Sequence, residues 1–407
     1  MVTLLTMAAW LPLLAQEPQP HKALPSDLTA SLMIAAPGKG PVSCYGHCAL
    51  RLTCKSLSKD FFFTYGFADT AGELSHLAVG KAAAHFWIMD PHRYLAEYAD
   101  EGRMVWEYRL NLTIEEIRRL WMLLDQASHT NAAGYFDPVR DHCSSACLRK
   151  IEESLGSGNI VWGRLPATAG CTYREFLTIV SQSHPWSGFL WKTFLGADGD
   201  EKSPLQICLS PNVVAEAMAH ASIEEPDGSR RPLLCDGGRG KAVCQGGDSV
   251  DEKATIVVSP LVAATFLAVL AVILAVLEST VRRYEGNGKA VAKRLIGIVS
   301  TVFDVLLLFV HTCFSAFFMV VTLAPQLHSA HGNVRLMVFN IMPALVTLVS
   351  AFSPTFRRSE LPRRLWLLMA AVCVVFAASC TWSSQVESVY VLLAITFAAR
   401  CVAKALR

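Results

Sequence analysis

From residue 254 onward the chain is a series of long apolar runs, at about 254–278, 295–324, 334–352, 365–382 and 388–406. Most are long enough to cross a bilayer core of about 30 Å as a helix. Lipid offers no partner to backbone N–H and C=O groups, so such segments must be helical. The last run is the most interrupted, and Arg400 and Lys404 within it are expected to snorkel to an interface. Basic residues then set an orientation. Arg282, Arg283, Lys289, Lys293 and Arg294 follow the first run, and Arg357, Arg358, Arg363 and Arg364 follow the third. Residues 326–333 and 383–388 contain neither Lys nor Arg. The two basic loops are therefore expected in the cytoplasm, which puts the preceding residues outside the cytoplasmic membrane and the C-terminus inside.

The first 250 residues have a mixed globular composition, so the overall 52 % hydrophobic content resides mostly in the membrane half. A net charge of +2, with no basic patch interleaved with aromatics, argues against a nucleic-acid partner. Residues 1–16 read as a signal peptide that ends near small Ala15, with no basic start. Residues 27–225 read as a folded domain. Residues 226–253, rich in Gly, Arg and Asp, read as a linker to the membrane domain at 254–407. Nine of the thirteen cysteines precede the membrane half, enough for up to four disulfides with one thiol left over, and Cys235 and Cys244 can close a small loop. Their spacing does not fit structural zinc, and no metal or cofactor is implied.

Strands are expected at 31–35, 45–53, 61–66 and 105–110, where aromatic or β-branched residues are bounded by Gly, Pro or Asp. Thr113-Ile114-Glu115-Glu116 is a capping box that opens a helix to about Ser128. Further helices are expected at 142–155, 172–181 and 211–221. The second of these four has a particular interest, because Cys143 falls in its first turn with Asp141 as the expected cap. A sulfur at a helix N-terminus faces unpaired N–H groups and the positive end of the dipole, which favour thiolate. His47 opens a strand about a hundred residues earlier and is the candidate base. The aromatic segment 185–195 fits either an interfacial dip or a packed helix. Asp304 and His311, seven residues apart in the second apolar run, lie on one helix face and are expected to face protein or water.

The ordered set Tyr45-Gly46-His47-Cys48-Ala49-Leu50-Arg51, Phe63-Thr64-Tyr65-Gly66-Phe67, Gly102-Arg103, Leu110-Asn111-Leu112-Thr113 and Asp141-His142-Cys143 resembles the N-terminal domain of the Lnb family. These are membrane-bound lipoprotein N-acyltransferases of Bacteroidota. The resemblance runs on through Thr172-Tyr173-Arg174, Leu195-Gly196, Leu209-Ser210-Pro211, Phe303-Asp304, Asn333 and Pro343. It implies an α+β permuted papain-like extracytoplasmic domain followed by an all-α, five-helix transmembrane domain in a bacterial inner membrane. It also implies His47 as base and Cys143 as nucleophile. The chain departs from the family at His142, where Asn is expected, and in its additional cysteines at 44, 48, 54 and 147.

The implied reaction is acyl transfer from a phospholipid, through a Cys143 thioester, to the α-amine of a diacylated lipoprotein. A third residue is expected to hold the imidazole; Tyr65, Thr64 and Asp69 are candidates, with Tyr65 favoured. Arg51, His142, Arg174, Asp304 and His311 are candidates for substrate contacts. Cys147, one turn from Cys143, is placed to trap it as a disulfide. Two other readings stay open: a thiol phospholipase or amidase that uses water as acceptor, and a non-enzymatic sensor domain on a membrane helix bundle.

Overall fold

Three eight-residue strands, Leu28–Ala35 (β1), His47–Cys54 (β2) and Lys59–Gly66 (β3), carry buried residues on both faces and therefore have to be covered on both sides. They form the middle of a seven-stranded sheet with Ala83–Met89 (β4), Val105–Arg109 (β5), Gly134–Tyr135 (β6) and Lys241–Cys244, which is β10, in the order β10-β5-β1-β2-β3-β4-β6. Its pairings are antiparallel. This computed structural model describes residues 25–39, 43–67, 76–77, 79–129, 134–165, 170–202, 210–246, 258–283 and 290–406. The expected signal peptide, Asp69 and Cys208 lie outside them.

One face of the sheet, with Leu32, Ile34, Cys48, Leu50 and Leu52, packs against helices Ile114–His129 (α2), Cys143–Ser154 (α3) and Pro211–Ala219 (α6). The other face, with Met33, Ala49 and Phe62, packs against Pro91–Asp100, which is α1. The α2 box forms as expected: Glu116 accepts from the Thr113 N–H at 2.7 Å, and Thr113 Oγ1 accepts from the Glu116 N–H at 3.3 Å. Two more helices, Tyr173–Val180 (α4) and Pro185–Phe194 (α5), complete this part.

Residues 226–246 of the expected linker are instead folded onto the domain. Strand Arg230–Pro232 (β9) joins Asn159–Val161 (β7) and Ser222–Glu224 (β8) in a three-stranded sheet, and β10 lies at the edge of the large sheet. Most residues of β9 and β10 face solvent, which hides their strand character in the sequence. Leu233 and Leu234, however, are buried in the core, and Arg231 binds the Glu116 carboxylate at 2.6 Å. The expected closure of a loop by Cys235 and Cys244 is not made. Both are free thiols, and the Cys244 sulfur points at the Leu95 and Arg103 carbonyls.

The C-terminal part is helical, with five segments among the described residues long and apolar enough to cross a membrane: Pro260–Arg282, Val291–Leu323, Val334–Phe352, Leu361–Thr381 and Ser388–Ala405. The helices are Pro260–Arg283 (α7), Ala290–Leu323 (α8), Met342–Phe352 (α9), Pro354–Arg358 (α10), Leu361–Ala378 (α11) and Ser388–Ala405 (α12). Arg400 does not snorkel. It is 2 % exposed, with Nε on Asp304 at 2.7 Å and Nη2 on Glu278 at 2.6 Å, and so ties α12 to α8 and α7. Its partners lie about a hundred residues away, too far for sequence to suggest them. Lys404 stacks over Trp366.

Helix α5 joins the two parts. Phe189 packs in a cluster with Phe318, Phe339 and Tyr390, and Lys192 pairs with Glu387 at 2.7 Å. Asn333 Nδ2 donates to the Thr193 carbonyl at 3.0 Å, and the Gly196 N–H donates to the Ser329 carbonyl at 2.8 Å. A Cβ on Gly196 would sit 1.9 Å from the His331 oxygen, so contact this close requires glycine. The aromatic segment is thus a packed helix, with Trp186 and Leu190 left exposed.

Candidate active site

Helix α3 opens at His142, which takes the cap position expected of Asp141. The His142 backbone N–H donates to Ser145 Oγ at 3.0 Å, and the Ser145 amide points back to the His142 ring, a reciprocal box. Asp141 is engaged elsewhere: it accepts the Tyr65 phenol at 2.6 Å and pairs with Arg149. Just upstream, Asp137 Oδ1 accepts from the Val139 and Arg140 amides, and its Oδ2 accepts from the Ser329 N–H of the membrane half at 3.2 Å. The turn that presents Cys143 is therefore bonded to the second part of the molecule.

Cys143 and His47 line one cavity of about 150 Å³. Gly46, at φ +90°, turns the chain into β2 where a Cβ would meet the Ala35 oxygen at 2.7 Å, and His47 follows as the first strand residue. The Cys48 backbone N–H donates toward Cys143 Sγ, so the sulfur rests beside the residue that follows the histidine. The remaining wall is largely apolar, with Pro138, Val139, Leu177, Trp191 and Leu195 among its residues. Trp191 and Leu195 come from α5 and its end, the helix that also packs on the membrane half.

The expected hold of Tyr65 on the imidazole is not made. His47 Nε2 lies 2.6 Å from Thr64 Oγ1, and the ring stacks on Tyr98 of α1. Neighbouring strand residues point to opposite faces, so Thr64 shares the face of His47 while Tyr65 reaches Asp141. Tyr65 still lines the cavity.

Burial sets the charge states. It lowers the His47 pKa to about 4, helped by the nearby Arg103 guanidinium, so the imidazole is neutral at pH 7. It also raises the Cys143 thiol to about 12, with the neighbouring Cys48 thiol adding to the rise; the Cys48 and Ser144 hydrogen bonds oppose it. Desolvation outweighs the helix N-terminus, and the expected resting thiolate is replaced by a neutral thiol. His142 is likewise lowered to about 4 by burial, against an opposing pull from Asp141.

Of the other candidates, His142 lies in the cavity wall. Arg51 does not: it pairs with Asp60 at 2.7 Å and Glu107 at 3.3 Å along a separate groove. Arg174 is buried and braces the segment after α5, with Nε on Asp200 at 2.9 Å and Nη2 on the Gly196 carbonyl at 2.8 Å. Asp304 and His311 share a face, as expected, but border a second cavity of about 160 Å³ between the membrane helices. Cys143 and Cys147 are free thiols.

Residues 16–157 match the family described as the Lnb N-terminal periplasmic domain. This region is an Lnb N-terminal domain. The match takes in His47, Thr64, Tyr65, His142 and Cys143, and ends just beyond α3. No curated protein and no solved structure matches the chain. An Lnb periplasmic domain followed by five membrane-competent helices fits a multi-pass inner-membrane protein.

Proposed function

We propose that this chain is a lipoprotein N-acyltransferase that moves an acyl chain from a phospholipid to the α-amine of a diacylglyceryl-modified cysteine. One observation carries the reading: the Cys143 sulfur and the neutral His47 line an apolar cavity, one wall of which is the helix packed on the membrane half. The arrangement of a histidine strand before a cysteine helix on an antiparallel sheet supports a permuted papain-like layout. The basic loops favour a cytoplasmic C-terminus.

In the first step His47 Nε2–H donates to Thr64 Oγ1, leaving the Nδ1 lone pair to take the Cys143 proton. The sulfur attacks the ester carbonyl, and the tetrahedral intermediate collapses to a thioester. The departing glycerol oxygen takes the proton back from His47, giving a lysophospholipid. In the second step the neutral α-amine attacks the thioester, His47 accepts its excess proton, and Cys143 leaves and is reprotonated. The product is an amide, and the enzyme returns to its starting state. Apolar walls limit the access of water to the thioester.

The test is mass spectrometry of the N-terminal lipopeptide of a reporter lipoprotein, in cells depleted of their own N-acyltransferase and supplied with this protein or its Cys143→Ser form. A third acyl chain with the native protein and two with the variant are expected. Two chains in both cases, with free fatty acid released, would turn the reading to a phospholipase.

A further inference from the structure

We propose that His142 is the side-chain donor that receives the oxyanion when Cys143 attacks a carbonyl, through its Nε2–H. The inference rests on the acyl-transfer reading of the same cavity. His142 is 7 % exposed, and its Nε2 is buried without a hydrogen-bond partner among the described residues. A buried N–H left unpaired is destabilising, so it calls for an explanation. The other ring nitrogen is occupied, because the ring accepts the Ser145 amide in the α3 box. With Nδ1 an acceptor, the proton of a neutral imidazole resides on Nε2.

His142 borders the same cavity as Cys143 and precedes it in the chain, and the wall beside it is built from Pro138, Val139 and Leu177. A substrate carbonyl oxygen at the sulfur therefore meets a fixed donor in apolar surroundings, where such a donor is most effective. The same bonding excludes His142 as the base, since its lone pair is taken by the helix. Low basicity adds to this: burial holds the ring neutral, so it donates without first having to be charged. Two nearby histidines thus divide the work, His47 moving the proton and His142 receiving the charge on oxygen.

The test separates carbonyl chemistry from thiol activation. Full-length protein in lipid nanodiscs is acylated on Cys143 by p-nitrophenyl butanoate and, separately, alkylated by iodoacetamide, a displacement with no oxyanion. His142→Phe is expected to slow acylation about 10²-fold or more while leaving alkylation within about twofold. His142→Asn, which keeps a cap and an N–H donor, is expected to recover most of the acylation rate. His47→Ala serves as the contrast and should slow both reactions. An unchanged acylation rate in His142→Phe, or an equal loss in both reactions, overturns the proposal. The butanoate ester reports on the donor whatever the natural acceptor is, so failure of the lipopeptide experiment alone would sink the transferase reading and not this one.

Discussion

The cavity of the Lnb domain and the cavity among the membrane helices both have apolar walls with buried ionisable groups, but they treat those groups in opposite ways. In the membrane half, Arg400 is held between Asp304 and Glu278 at 2.7 and 2.6 Å, and His311 Nε2 lies 3.0 Å from the Val338 carbonyl. Charges there are spent on one another and join three helices. In the periplasmic domain, Cys143, His47 and His142 have no carboxylate partner within salt-bridge distance among the described residues. Burial keeps them neutral, which leaves the Cys143 and His142 protons and one His47 lone pair available. Paired groups hold the framework, and unpaired neutral ones are left for chemistry.

The largest difference between the cavities should come from removing their central groups. Cys143→Ser is expected to reduce lipopeptide acylation to background while leaving the melting temperature of the purified protein unchanged. Arg400→Leu should do the reverse. It leaves two buried carboxylates without their cation, a loss of about 3–5 kcal/mol, seen as a lower melting temperature, while the protein that remains folded still acylates. A normal melting temperature in Arg400→Leu would remove the contrast.

A smaller effect tests the hold on His47. Thr64→Val should lower the acylation rate about tenfold, the cost of one buried hydrogen bond to a catalytic ring. Tyr65→Phe should lower it by less than about threefold, because its phenol serves Asp141. The reverse order would restore Tyr65 as the tether.

The charge states give a change that shows only when the pH is varied. Folded His47 and His142 have pKa values near 4, below the ordinary 6.5, so the unfolded chain takes up protons first and stability falls as pH drops from 6.5 to 4. The Cys143 thiol at about 12, above its ordinary 9.0, gives a matching loss as pH rises through that range. His142→Asn should therefore lose less melting temperature than the native protein between pH 6.5 and 4. An equal loss in both would mean that His142 is protonated in the folded protein.

The spans and the inner strands were legible because each depends on local pattern: apolar length or alternation. The tether of His47 was not. Thr64 and Tyr65 are neighbours on one strand, and choosing between them requires knowing which face of the sheet the imidazole takes. That face is fixed by Tyr98 on α1, a helix that was not recognised from sequence. Arg400 was misread for a related reason: the spacing of apolar residues says nothing of carboxylates on other helices. The edge strands at 230–232 and 241–244 were missed because only short stretches beside them are buried.

Helix α5 faces two ways. Trp191 lines the thiol cavity, while Phe189 and Thr193 are bound to the membrane helices, and Gly196 leaves no gap behind them. The elevation of the sulfur above the helix ends is consequently set once, at folding, as on a gauge with its jaw locked. A bulkier residue at 196 would act as a shim, lifting the sulfur away from the bilayer without touching a single reacting atom.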